Sequence, residues 1–210
     1  MMTTQAERSL AQPLTTDHTL LPKPRLRRPG FWRELLNSAF FILAALILSE
    51  LAFPRSSITG PSMEPSMFTG HQLLINRVAY LLADPRPGEI AVFDAPDAKE
   101  ELLIKRVIGV PGDTIEIRVI RTTDATGVEV RAGAEVYRNG QLLDEPYFVN
   151  RPCNNCQDNV WVLGEDEYFF MGDNRNESND SRRFGAVKRE AIVGRAIFRY
   201  FPLDLFGTLN

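Results

Sequence analysis

A mainly β domain carried behind one membrane-spanning helix is the fold this sequence predicts. Three features predict it: a single long uncharged apolar run near the amino terminus, a train of short β-branched and aromatic segments after it, and Pro, Gly and Asn at the breaks between those segments. At 210 residues the chain is long enough for one substantial core plus an appendage.

Residues 1–30 are polar, rich in Thr, Pro and Arg, and show neither helical nor strand periodicity, so they are expected to form a disordered tail. The approach to the apolar run is basic, with Arg8, Lys23, Arg25, Arg27, Arg28 and Arg33 set against only Glu7, Asp17 and Glu34. Residues 35–49 read LLNSAFFILAALILS, a stretch of roughly 15 uncharged residues that reaches roughly 20 when Arg33 and Glu50 extend to the two interfaces. A buried core helix and a cleaved secretory signal compete for this run. The signal would need an unusually long leading segment and a small-x-small site, and Ser49-Glu50-Leu51-Ala52-Phe53-Pro54 supplies none. Residues 31–53 are therefore read as an uncleaved transmembrane anchor in a lipid bilayer. Basic residues before such an anchor stay on the cytoplasmic side, which puts residues 54–210 on the outer side.

Beyond the anchor, strands are expected at residues 72–78, 89–93, 102–110, 114–120, 128–131, 135–138, 167–171 and 192–200. Turn signals stand at Pro87-Gly88, Pro111-Gly112-Asp113 and Asn139-Gly140, the last reading as a two-residue hairpin turn. Roughly residues 113–165 are expected to form a smaller β insertion. The net charge of -3 gives no basis for nucleic-acid binding. The two cysteines, Cys153 and Cys156, fall in the part expected outside, where disulfides persist, and the sequence leaves their pairing open. A metal site would need two more ligands beside the cysteines, and of the two histidines His18 lies on the cytoplasmic side of the anchor, leaving only His71, so no metal is expected.

Three segments depart from the alternation of strand and turn. In Gly60-Pro61-Ser62-Met63-Glu64-Pro65-Ser66-Met67 two prolines restrict the backbone around a serine, which fixes the direction of the Ser62 hydroxyl; a rigid juxtamembrane turn is the plainer reading. In Leu102-Leu103-Ile104-Lys105-Arg106-Val107-Ile108 strand alternation puts Lys105 with Leu103 and Val107, and Arg106 with Ile104 and Ile108, so one of the two cations must sit among apolar side chains. Burial favours a neutral amine, which lysine can become and arginine cannot. With an ordinary pKa of about 10.4, lysine is neutral in only about one molecule in a few thousand at pH 7, so burial is what would make Lys105 a usable base. A solvated Lys-Arg pair guarding an edge strand is the alternative. The third segment, residues 172–185, packs short polar side chains and opposite charges into one loop after a strand, as a scaffold around a site would. A nucleophilic serine needs a base; His18 lies before the anchor, His71 has no evident acidic partner, and there is no G-x-S-x-G elbow, which leaves lysine.

These segments, in this order after an amino-terminal anchor, resemble the signature boxes of type I signal peptidases. The matching parts are Ser62-Met63-x-Pro65, Lys105-Arg106 followed by Gly109-x-Pro111-Gly112-Asp113, and Gly172-Asp173-Asn174-Arg175 with Ser178, Asp180, Ser181 and Arg182. The resemblance implies a Ser/Lys serine endopeptidase that removes signal peptides from exported preproteins after small-x-small sites, at a bacterial plasma membrane or an equivalent energy-transducing membrane. It implies Ser62 as nucleophile, Lys105 as general base and Ser178 as the residue that orients the Lys105 amine. Asp173, Arg106, Asp180 and Arg182 would be ion pairs holding the strands that carry the dyad. Gly60 stands where the family often has a serine hydroxyl as second oxyanion donor, so a backbone amide would serve there. Ile58, Met63, Met67, Val92, Leu103 and Ile104 would line apolar pockets for small residues before the cut. Water is then the only co-substrate, with no metal or organic cofactor, and the enzyme is expected to work as a monomer. A self-cleaving repressor would share the dyad but should carry a DNA-binding helix-turn-helix where this chain has its basic tail and anchor. A non-enzymatic anchored binding domain using residues 113–165 is the reading from another class.

Overall fold

The structure, a computed structural model, describes residues 30–96, 102–148 and 156–209. The tail up to residue 29, with its basic cluster and His18, and Cys153 lie outside the described residues. Helix α1 (Phe31–Ala52) holds the apolar run and buries none of its residues. Its 22 residues rise about 33 Å, against about 30 Å for the hydrocarbon core of a bilayer. Such an exposed apolar surface suits lipid rather than water as its solvent. Pro54, two residues past the helix end, has no N–H with which to continue it.

The described strands are β1 (Arg55–Ser57), β2 (Gln72–Asn76), β3 (Ile90–Asp94), β4 (Leu102–Gly109), β5 (Thr114–Thr123), β6 (Glu129–Arg138), β7 (Gln141–Leu142), β8 (Asn159–Val162), β9 (Glu167–Met171), β10 (Val187–Lys188), β11 (Ile192–Phe201) and β12 (Gly207–Thr208). They form one sheet in the order β1-β2-β11-β3-β4-β9-β10, with β12 on β11, and a second in the order β7-β6-β5-β8. The mainly β architecture read from the sequence is the one observed, and the second sheet lies wholly between residues 114 and 162.

Alternation along β3 shows how the larger sheet is faced. Ile90 and Val92 enter one cluster with Ile58, Met63, Met67 and Leu73. Ala91 and Phe93 enter another with Val107 and Phe170, where the Phe93 and Phe170 rings stack with centroids 4.3 Å apart. A third cluster joins the sheets, Ile108, Phe169 and Met171 from the larger packing with Ile115, Ile117, Val136 and Leu163 of the smaller. Lys105 and Arg106 on β4 thus sit on a sheet packed on both faces, with the Ser62 turn and the polar loop after β9 beside it.

Several boundaries differ from expectation for local reasons. β2 stops at Asn76 because the Asn76 side chain accepts the Ala79 N–H at 2.9 Å and starts the short helix α2 (Ala79–Leu82). β6 is one strand rather than two: Ile120 pairs with Gly133 and Arg121 with Arg131, so Ala132 is taken up in a bulge. The hairpin after it turns on Asn139 and Gly140, both at positive φ (53° and 77°), as a two-residue turn of this kind requires. β8 was not expected; it is an edge strand whose Val160 and Val162 face solvent while Trp161 packs on Phe169 with ring centroids 4.8 Å apart.

Candidate active site

Ser62 sits in the turn of Pro61 and its successors, closed by Glu64 N–H to Pro61 O at 3.1 Å and Met67 N–H to Met63 O at 2.9 Å. Met63 and Met67 are fully buried below the turn, so the half-buried Ser62 is presented from an anchored base. Lys105 reaches it from β4. Its Nζ lies 2.8 Å from Ser62 Oγ and 3.0 Å from the Ile104 carbonyl oxygen, and the residue is only 3% exposed. A hydroxyl held against a desolvated primary amine is a nucleophile with a proton acceptor beside it.

The sequence required one buried cation on β4; the structure buries both. Arg106 is 2% exposed because the loop after β9 brings Asp173 to it. Arg106 Nε donates to Asp173 Oδ1 at 2.9 Å, Nη2 donates to Oδ2 at 2.8 Å, and Nη1 donates to the Gly88 carbonyl at 2.8 Å. The Tyr147 ring covers the guanidinium at 3.8 Å. A fork-to-fork pair inside a packed environment fixes orientation as well as charge.

The loop of residues 172–180 is tied at further points. Asn174 donates its N–H to Ser62 O at 3.0 Å and its Nδ2 to Pro61 O at 3.2 Å, clasping the serine turn. Arg175 pairs with buried Glu145 at 2.5 Å, donates from Nε to Gly172 O at 3.1 Å, and lies over Phe148 at 4.5 Å. Asp180 accepts from Arg182 Nε and Nη2, each at 2.8 Å, and from the Gly172 N–H at 3.0 Å, and it caps helix α3 (Ser181–Phe184) through the Arg182 N–H. Burial alone would raise the Asp180 carboxyl, but Arg182, the Gly172 amide and the nearby Ser178 hydroxyl hold it below the ordinary carboxylate range.

Ser178 Oγ is buried and finds no partner in hydrogen-bonding geometry among the described residues. It packs so closely on Gly172 that a Cβ there would overlap both Ser178 Oγ and the Ser62 carbonyl oxygen. Gly60, two residues before the serine, has φ of 90°, a conformation that glycine adopts without strain. Of the six apolar residues expected around a substrate, Ile58, Met63, Met67 and Val92 are core members of one cluster and Ile104 packs against it. Leu103 does not join them; strand alternation turns it to the cluster of Phe93 and Val107. His71 is an internal strut, its Nδ1 accepting the Phe68 N–H at 3.3 Å. Burial, then the nearby Arg199, pushes its imidazole below the ordinary range, against a smaller opposing pull from Asp204. Cys156 is buried and is not a free thiol.

Sequence reasoning missed Asn174 as a clasp and Glu145, Tyr147 and Phe148 as the lid on both arginines. Asn174 was legible only as part of the loop's composition. Glu145-Pro146-Tyr147-Phe148 offered an acidic residue and two aromatics after a hairpin, with nothing to say what they would cover.

Comparison with known proteins gives the family. The chain belongs to the signal peptidase family, peptidase S26, whose family model matches residues 32–201, and it is thereby a serine protease of the signal peptidase type. It is 38% identical over 186 residues to a probable signal peptidase I-2 of Synechocystis sp., covering 85% of this chain and 78% of that protein. A probable signal peptidase I-1 of the same organism is 33% identical, with 87% and 90% covered. A signal peptidase I of Leptolyngbya laminosa is 33% identical, with 80% and 79% covered.

Membership makes the close approach at Gly172 testable. Gly172→Ala must displace the Ser62 turn or Ser178, because one of the two overlaps is with backbone. Peptidase turnover is expected to fall about 100-fold, the effect of a displacement on the order of 1 Å in a reacting pair. Far-ultraviolet circular dichroism of the same preparation should stay unchanged.

Proposed function

We propose that this protein removes signal peptides from exported preproteins after small-x-small sites, with Ser62 as nucleophile and Lys105 as general base. The observation that carries the reading is the 2.8 Å approach of Lys105 Nζ to Ser62 Oγ in a site where the lysine is buried. Ser62 Oγ attacks the scissile carbonyl carbon as neutral Lys105 takes its proton. The resulting ammonium returns a proton to the leaving amine as the peptide bond breaks, and Ser62 is left acylated. Water, losing its proton to Lys105, then attacks the ester and frees the serine.

Ser178 is the orienting hydroxyl of this scheme. Its burial against Gly172, next to the Ser62 turn and with no well-formed hydrogen bond to the neighbouring Asp180, supports a place for it beside the amine in the working enzyme. The oxyanion is received by the Ser62 N–H and a backbone amide near Gly60. The Arg106–Asp173 and Arg182–Asp180 pairs act by geometry, the first on the lysine strand and the second on the loop beneath the serine. Ile58, Met63, Met67, Val92 and Ile104 give the region before the cut its preference for small side chains, and Leu103, on the other face of β4, has no part in it.

Residues 31–53 anchor a single monomeric chain in lipid, residues 1–30 remain cytoplasmic, and residues 54–210 work on the outer face of a bacterial plasma membrane or its equivalent, with residues 113–165 as an inserted subdomain. Serine only roughly ten residues past the anchor supports a reaction at the membrane surface, where the end of a bilayer-spanning signal helix also lies.

The test is cleavage of a preprotein by the detergent-solubilised full chain. Ser62→Ala should abolish cutting in a folded protein, chelators should leave the parent's rate unchanged, and the rate should rise with pH to a plateau as Lys105 loses its proton. Cutting by Ser62→Ala, or chelator inhibition, would refute the scheme.

A further inference from the structure

Beside the serine turn, on the side of the polar loop, is a cavity of about 90 Å³ lined by Glu64, Pro65, Phe68, Phe148 and residues 173–176. We infer that this cavity is the subsite for the first residue after the cut, with Phe148 limiting its size and Glu64 its charge. The inference rests on Ser62 as nucleophile, as proposed above, and adds where the released chain begins.

Two placements point to it. Asn174 lines the cavity and also donates its N–H to the Ser62 backbone carbonyl at 3.0 Å, and Glu64 and Pro65 of the cavity wall belong to the serine turn itself, so the cavity borders the turn that carries the hydroxyl. Ile58, Met63, Val92 and Ile104, assigned above to the chain before the cut, gather in a different cluster, and none of them lines the cavity. On this proposal a peptide whose leading residues approach that cluster crosses Ser62 and continues toward the cavity.

The chemistry of the walls defines what fits. Pro65, Phe68 and Phe148 supply apolar surface, and Phe148 is held in place under the Arg175 guanidinium at 4.5 Å. The small volume favours a small or short-branched side chain over an aromatic one. Glu64 is half-buried, and its carboxylate has no ion-pair partner among the described residues. Asp173 and Arg175, by contrast, are already matched by Arg106 and Glu145. Glu64 therefore sets the sign of the subsite, disfavouring an acidic residue and favouring a basic one.

The experiment uses the full chain in detergent and preproteins identical except for Ala, Trp, Lys or Asp directly after the cut. The parent enzyme should cut the Trp substrate with kcat/KM about tenfold below Ala, and the Lys substrate about fivefold above Asp. Phe148→Ala should bring Trp within about twofold of Ala, and Glu64→Gln should bring Lys and Asp within about twofold of each other. Ratios that stay unchanged in both variants, or a parent enzyme indifferent to this residue, would overturn the subsite. Glu64→Gln, a half-buried replacement of like size, decides the matter alone if Phe148→Ala does not fold. Cutting by Ser62→Ala would instead remove the catalytic reading, so the two failures are distinguishable.

Discussion

Lys105→Met is expected to lower kcat/KM for preprotein cleavage by about 10³-fold or more, and to leave the protein at least as stable as the parent. Methionine retains an unbranched side chain that fills the space of the lysine stem, so packing against β3 is kept. What is lost is the proton acceptor 2.8 Å from Ser62 Oγ. Removing a buried amine relieves a desolvation cost rather than creating one, and the half-buried Ser62 hydroxyl can turn to water. Activity and stability should therefore move independently, which a merely structural lysine would not produce. Adding Ser62→Ala to Lys105→Met should cost little further, because residues that act as one unit give strongly non-additive losses. Lys105→Arg should not rescue cutting, since a guanidinium does not give up its proton. Multiplying losses in the double variant, or substantial turnover by Lys105→Met, would dissociate the lysine from the serine.

How the sequence announced these residues is instructive. Lys105 was a candidate because strand alternation put one of two adjacent cations, Lys105 or Arg106, among apolar side chains and only lysine can give up its charge there, a constraint that acts within a single segment. Ser62 was visible through the prolines around it and the lack of a suitable histidine. Their mutual distance was not, because it depends on a loop from residues 172–180 whose ties to the rest of the site are distant in the chain: Asn174 on the serine turn, Asp173 on β4, Arg175 on Glu145. The split of Leu103 from the other apolar residues was implicit in alternation, since Leu103 and Ile104 are adjacent on one strand. Strands with strong β-branched content were legible, while β8 and the bulge at Ala132 were not, because edge pairing and bulges are decided by the partner strand rather than by local preference.

Asp173→Ala should destabilise the protein by about 3–5 kcal/mol, the effect of leaving a buried guanidinium without its carboxylate. For a domain of this size that is a fall in melting temperature on the order of 10 °C. The expectation follows from side chains only 3% and 1% exposed, two parallel N–H to oxygen contacts, and a Tyr147 ring that keeps water from replacing the lost partner. Arg106→Met with Asp173→Leu should recover most of that stability, because an apolar pair removes both charges and their desolvation together. Activity should not return with it. Arg106 neighbours Lys105 on β4, and Asp173 lies between Gly172 and Asn174, the two residues that touch the Ser62 turn. The pair is thus a tie between the strand that carries Lys105 and the loop that holds the Ser62 turn. An apolar contact in its place keeps the two elements packed but without the bidentate register that sets the serine against the amine. Restored melting with a kcat still about 100-fold down would identify the pair as a positioning device. Restored melting with restored kcat would make it a matter of packing alone.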